Sequence, residues 1–279
     1  MMIKKIAAAA ALVVLAAPSF AKILGNTAGE AGELFLSVYD STAKVSYTLD
    51  LGVTVDAFRL AADGVEAGYS QTWSLAGDAN WTSFAAQADL SKSKWMIASV
   101  QKSASAATSK GGQVIMTTVR AGDEAKVASV KNNQLTNFVG QFSNFYNAIN
   151  TTGTHGTQAN GSSVNLDSDS GAAYVGDGTT GGLSSSYNTN FAFNGASVLG
   201  ASAKFNYLTR SAKTEGPIFI DGFENSANSG LFTFATSGAT PALTYNLEAV
   251  AAIPEPSTYA LFAAGLLAVG FVARRRSQG

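Results

Sequence analysis

The chain contains no cysteine. Disulfides, thiol nucleophiles, thiolate metal sites and thiol redox switches are therefore excluded. A chain of 279 residues can do without them, because a domain of this size buries enough apolar surface to hold itself together. Histidine is nearly absent too: His155 stands alone in the polar stretch Thr154-His155-Gly156. A histidine triad or a histidine-based zinc site would have to use it, and its neighbours offer no second ligand at motif spacing. It is expected as an exposed loop residue. Positive charge is missing over a long stretch, with no Lys or Arg from 132 to 203. Ser, Thr, Asn and Gly dominate much of that stretch after Asn150, so its surface is solvated by hydroxyls and amides. With both ends set aside, thirteen Lys and Arg face eighteen Asp and Glu, a net of −5. Nucleic acid is not an expected partner, since neutralising phosphates needs clustered basic side chains.

What the chain does have stands out at its ends. Lys4 and Lys5 precede an apolar run over 6–17 that stops at Pro18, and Ser19-Phe20-Ala21 supplies small residues at the third and first positions before a cut. That order predicts a signal peptide over 1–21, with signal peptidase cutting between Ala21 and Lys22. Twelve apolar residues are too few for a stable anchor. At the other end, Pro254-Glu255-Pro256-Ser257 precedes an apolar run over 259–273, closed by Arg274-Arg275-Arg276. Two prolines two apart keep that strip out of any helix or central strand, because each lacks an amide donor and restricts its predecessor. The run after it predicts a short membrane helix, completed by Ser257, Thr258 and snorkelling arginines. The positive-inside rule keeps those arginines cytoplasmic and places the domain outside.

This tail resembles the PEP-CTERM sorting signal of Gram-negative bacteria, a domain also found on some ice-binding proteins. The motif at 254–257, the apolar segment and the basic end match it in order and spacing. The resemblance implies transient partners, namely an exosortase in the inner membrane that cuts near the motif, and the inner membrane itself. It also implies release through the periplasm to the outer surface or extracellular matrix, beside extracellular polysaccharide. Residues 32–58 more loosely resemble the opening segment of a group of proteobacterial PEP-CTERM proteins of unassigned function.

Between the ends, residues 22–252 are expected as one β-dominated α+β domain with a polar loop region over 150–190. Antiparallel sheets, as a sandwich or meander, would carry an inserted amphipathic helix, with the transmembrane helix at the C-terminus. Over 45–55, apolar residues take the odd positions and polar or small ones the even, so one face is expected buried and the other wet. Leu34, Leu36 and Val38 precede it across the turn chemistry of Asp40-Ser41-Thr42-Ala43, which predicts a hairpin. A second hairpin is expected from 94–102 and 113–120, after a short helix within 81–90. Val127, Val130, Gln134, Phe138, Phe142, Phe145 and Ile149 form one helical stripe, widened by Leu135 and Tyr146, and a break is expected near Gly140. Short strands are expected beyond it, over 204–210, 217–223, 231–236 and 243–248.

Chemical motifs are sparse. The glycine pattern over 176–181 lacks the helix and the later acid a dinucleotide needs, and reads as a loop. No Gly-x-Ser-x-Gly elbow occurs, and three Ser-x-x-Lys matches lack companion motifs. Asn165, Asp167 and Asp169 alternate oxygen ligands and form a weak calcium candidate, but Ser170 and Gly176 stand where the turn glycine and closing glutamate belong. Trp73, Trp81 and Trp95 are read as core before they are read as sugar platforms. No catalytic residue and no cofactor are assigned. The expected function is a non-enzymatic structural or adhesive surface component, linked to exopolysaccharide or biofilm. The alternative is a secreted carbohydrate-binding module or glycan hydrolase.

Overall fold

The computed structural model describes residues 22–25, 27–102, 113–176, 183, 197–211, 215–236, 240–251 and six positions of the tail, 265, 266, 269 and 274–276. In chain order the strands are β1 (Glu33–Asp40), β2 (Val45–Thr54), β3 (Tyr69–Ser74), β4 (Lys94–Lys102), β5 (Gln113–Arg120), β6 (Ser162–Leu166), β7 (Ser197–Val198), β8 (Ser202–Thr209), β9 (Phe219–Gly222), β10 (Leu231–Ala235) and β11 (Ala242–Leu247). The helices are α1 (Val55–Ala62), α2 (Ala79–Gln87), α3 (Glu124–Ala128), α4 (Asn132–Ile149) and α5 (Asp167–Ser170), with a 3-10 turn at Gly171–Ala173 after the last. The expected β-dominated, antiparallel class holds. The arrangement is neither two packed sheets nor a simple meander: the described strands form one sheet in the order β3-β11-β10-β8-β5-β4-β1-β2-β6, with β7 and β9 paired onto β4 and β8.

Curling of this sheet is dictated by where its apolar residues point. Leu34, Leu36 and Val38 of β1, Tyr47 and Leu49 of β2, Phe205 of β8, Phe232 and Phe234 of β10 and Tyr245 of β11 all join one buried cluster. Phe58 of α1 sits among them, 4.9 Å from Tyr245 and 5.7 Å from Phe232 between ring centroids. A flat sheet cannot bring strands so far apart in order onto a single helix side chain; a twisted, coiled one does. The two ends of the sheet are drawn together at a seam. Trp73 of β3 donates its indole N–H to the Leu51 carbonyl of β2 at 3.0 Å. Asn80 of α2 donates to the Ser162 carbonyl at the start of β6 at 2.9 Å. Thus α2 covers β6, an edge strand that an open sheet would leave bare.

The first hairpin forms as expected, and Asp40 holds its turn by accepting from the amides of Thr42 and Ala43 at 2.8 and 3.2 Å. The second pairs β4 with β5 at the expected bounds. The expectation of a wet face on β2 is corrected: Ser46, Thr48 and Asp50 are buried. Chain from 150 to 175 folds over them, so that Val175 donates its amide to the Ser46 hydroxyl at 3.1 Å. Thr48 meets the Ser37 hydroxyl at 3.0 Å, which satisfies polar groups that burial would otherwise penalise.

On the outer side of β1, β4 and β5 the predicted helical stripe packs as a second cluster: Leu135, Phe138, Phe142, Phe145, Tyr146 and Ile149 against Phe35, Met96, Val100 and Ile115. The break in this helix lies between α3 and α4, not at Gly140. Lys131 there makes a strand bridge with Pro217, and its amide is capped by the Gln134 side chain at 2.9 Å. Gly140 faces solvent within continuous helix, where a missing side chain costs only helix propensity, about 1 kcal/mol.

Candidate functional site

The chain leaves the sheet after β11 through a clamp of side chains. Pairing with β3 ends at Leu247 opposite Tyr69. Beyond it, the Asn225 amide group donates to the Glu248 carbonyl at 2.7 Å and the Asn228 amide group donates to the carbonyls of Glu248 and Ala249 at 3.2 and 3.3 Å. The Val250 amide donates to the Glu66 carbonyl at 2.9 Å, while the Glu66 carboxylate accepts from the amide and hydroxyl of Ser226 at 3.1 and 2.7 Å. Gly68 is required where the loops meet: its φ is +75°, and a Cβ there would stand 2.6 Å from the Leu247 carbonyl and the Ala249 amide. Backbone order is thus enforced up to Val250. Ala251, the next residue, is exposed.

Past the clamp lies the predicted sorting segment. Pro254, Glu255, Pro256 and Ser257, with most of 259–273, lie outside the described residues; Arg274, Arg275 and Arg276 are helical and exposed. No helix among the described residues is long and apolar enough to cross a membrane. A family profile described as the PEP-CTERM protein-sorting motif matches residues 252–276. The tail is a PEP-CTERM sorting motif. Such a motif implies an exported protein that is transiently membrane-anchored and processed by an exosortase. No curated protein and no solved structure matches the chain.

The PEP-CTERM tail therefore begins two residues after Val250, the last residue the clamp holds. At the other terminus, Ala21 lies outside the described residues and Lys22 is exposed. Ile23 is buried, and the Asn150 side chain grips its backbone on both sides, accepting from its amide at 2.9 Å and donating to its carbonyl at 3.1 Å. Leu24 donates its amide to the Glu33 carboxylate at 2.9 Å. A mature chain that starts at Lys22 keeps this strap whole. Truncating Asn150 to alanine removes both bonds and should lower stability by about 1–3 kcal/mol, read as an earlier denaturation midpoint. Intact mass of the exported form should place its first residue at Lys22.

The three calcium candidates have separate partners. Asn165 of β6 is buried with its side-chain amide donating to Ser163 at 2.8 Å, Asp167 faces Lys44 at 3.9 Å, and the exposed Asp169 accepts from Ser168 at 2.7 Å. Among the described residues, no group of three His, Cys, Asp or Glu side chains is placed to hold a metal ion. His155 is not the exposed loop residue its neighbours predict. It is buried against the Thr48 backbone, neither ring nitrogen in hydrogen-bond geometry, and burial drives its pKa down to about 4. Trp81 and Trp95 are core, and Trp73 is spent on the seam.

Two features escaped the sequence reading. The first is the clamp: Asn225-Ser226-Ala227-Asn228 reads as turn chemistry, but its partners lie at 65–66 and 248–249 and leave no local signal. The second is a row of hydroxyls on the outer face. In-register pairing sets Thr72 of β3 beside Thr244 of β11, Thr244 beside Thr233 of β10, and Thr233 beside Ser202 of β8. Thr72 and Thr244 hydroxyls lie 3.4 Å apart and those of Ser202 and Thr233 2.7 Å. Beside the row runs a groove of about 400 Å³ lined by Asn228, Ser229, Leu231, Asn246 and Glu248 along with three of these hydroxyls.

Proposed function

We propose that the protein is a non-enzymatic adhesive or structural component of the cell surface or extracellular matrix, delivered by its PEP-CTERM tail. In this reading residues 259–273 cross the inner membrane as a helix with Arg274, Arg275 and Arg276 in the cytoplasm. Exosortase cuts near 254–257, and the released domain passes through the periplasm to the outer surface. The hydroxyl row carries the adhesive part. A polyhydroxylated polymer is recognised by side chains that both donate and accept, and Thr72, Thr244, Thr233 and Ser202 present such groups in register on four neighbouring strands. The same face shows few charges, Lys204 and Glu248 at its margin, as suits a neutral partner.

A glycan hydrolase finds less support in the placement of its candidate groups. Glu33 and Asp50, which interact electrostatically, are buried among strands instead of facing a cleft, and the tryptophans are occupied as described. The adhesive reading is tested on intact cells. Thr72→Glu with Ser202→Glu, at the two exposed ends of the row, should move the protein from the matrix fraction to the culture medium several-fold while its melting temperature stays near that of the parent. An unchanged distribution would remove the row from the reading.

A further inference from the structure

Both termini leave the domain at one rim of the sheet. From β1 to β11 the path runs through β4, β5, β8 and β10, and every step is antiparallel. An odd number of reversals separates the two, so β1 begins at the rim where β11 ends. The N-terminal strap lies beside the first residue of β1, through the bond from Leu24 to Glu33, and the clamp lies at the last residue of β11. Every membrane-directed segment of the chain is therefore attached to this rim.

The tether from the rim is short. Four peptide units separate Val250, fixed by the clamp, from Pro254. However they are arranged, they reach no farther than about 14 Å. An enzyme that takes the motif into a groove as extended chain needs residues on both sides of the bond it cuts, and on the upstream side only 251–253 separate Val250 from the motif. We propose that the exit rim, formed by loops 63–68, 224–229 and 248–250, is the surface on which the membrane-embedded exosortase docks. The inference rests on the sorting reading above.

Charge decides between enzyme and lipid as the occupant. These loops carry Asp63, Glu66, Glu224 and Glu248 and no Lys or Arg, and all four acids are exposed. Anionic headgroups are repelled by such a surface, which leaves the enzyme as its occupant. The clamp then has a purpose beyond stability: it presents the motif at a fixed distance from that surface.

The full-length chain tests this in cells carrying a tagged exosortase. A photo-crosslinking amino acid is placed at the exposed positions Ala227 and Ala249 on the exit rim, and at Ala43 and Ala76 on the opposite one. Crosslinks to the tagged enzyme are expected from the first pair and not the second. Glu224→Lys with Glu248→Lys should raise the uncut form several-fold at unchanged melting temperature, and Thr42→Lys at the far rim should not. Crosslinks to lipid alone, equal crosslinking from both rims, or cutting that the double substitution leaves unchanged would each overturn the docking surface. If the tail stays uncut even in the parent, the sorting reading itself fails, a distinguishable result.

Discussion

Replacing Pro254 and Pro256 together with alanine should leave the full-length protein in the inner membrane, uncut. Each proline disfavours helix by about 3 kcal/mol relative to alanine and also restricts the residue before it. With both gone, the apolar run over 259–273 can continue as helix upstream toward Ile253, and the backbone of 254–257 turns inward to its own hydrogen bonds. A protease-like groove needs that backbone free. Deleting the exosortase should produce the same species, while the folded domain, fixed as far as Val250 by Asn225, Asn228 and Glu66, is untouched. Mass spectrometry of the surface fraction decides the matter. In the parent, peptides from 259–274 should be missing from the mature protein; a permanent tail anchor predicts them in parent and variant alike.

That experiment draws on the most legible part of the sequence, and the reason is physical. The sorting motif is matched over one continuous run, residues 252–276, so its information is local. Hairpins are nearly as local: β1 with β2 and β4 with β5 pair at the bounds their alternation predicts. The strand β3 was missed. Its inward residues, Tyr69, Gln71 and Trp73, are only half-buried, which blurs the alternation, and its partner β11 lies some 170 residues on. The wet face predicted for β2 was wrong for a related reason. Ser46, Thr48 and Asp50 are polar whether water or another layer covers them, and the covering layer comes from 150–175. His155 was misplaced by the same segment, since a polar neighbourhood in sequence became a lid in space. The clamp and the hydroxyl row depend on register between distant strands, which no window of residues contains.

Those buried polar groups set up opposed pH dependences, which single substitutions should separate. Asp50 is pushed up to about 7, first by burial and then by the charge of Glu33, against a bond accepted from the Gly52 amide. Between its unfolded value near 3.8 and about 7 the folded state holds a proton that the unfolded state has lost, so stability from this group falls as pH rises through that window. His155 behaves oppositely. Its pKa is lowered to about 4 by burial, with the Thr48 backbone and the Asp78 carboxylate opposing. Between about 4 and 6.5 the unfolded chain binds a proton the folded one refuses, so stability falls as pH drops. Over the shared window the two slopes nearly cancel, and Glu33, itself raised by burial, adds a slope of the Asp50 sign. Asp50→Asn mimics the protonated acid and leaves His155 alone: its stability should fall on acidification from roughly pH 6 to 4.5 by up to about 1.4 kcal/mol per unit. His155→Gln leaves Asp50 alone, and its stability should instead fall by a similar amount as pH rises through the same interval. Urea denaturation of parent and both variants at a series of pH values gives the three slopes. Parallel curves for all three would mean that neither group is buried as described.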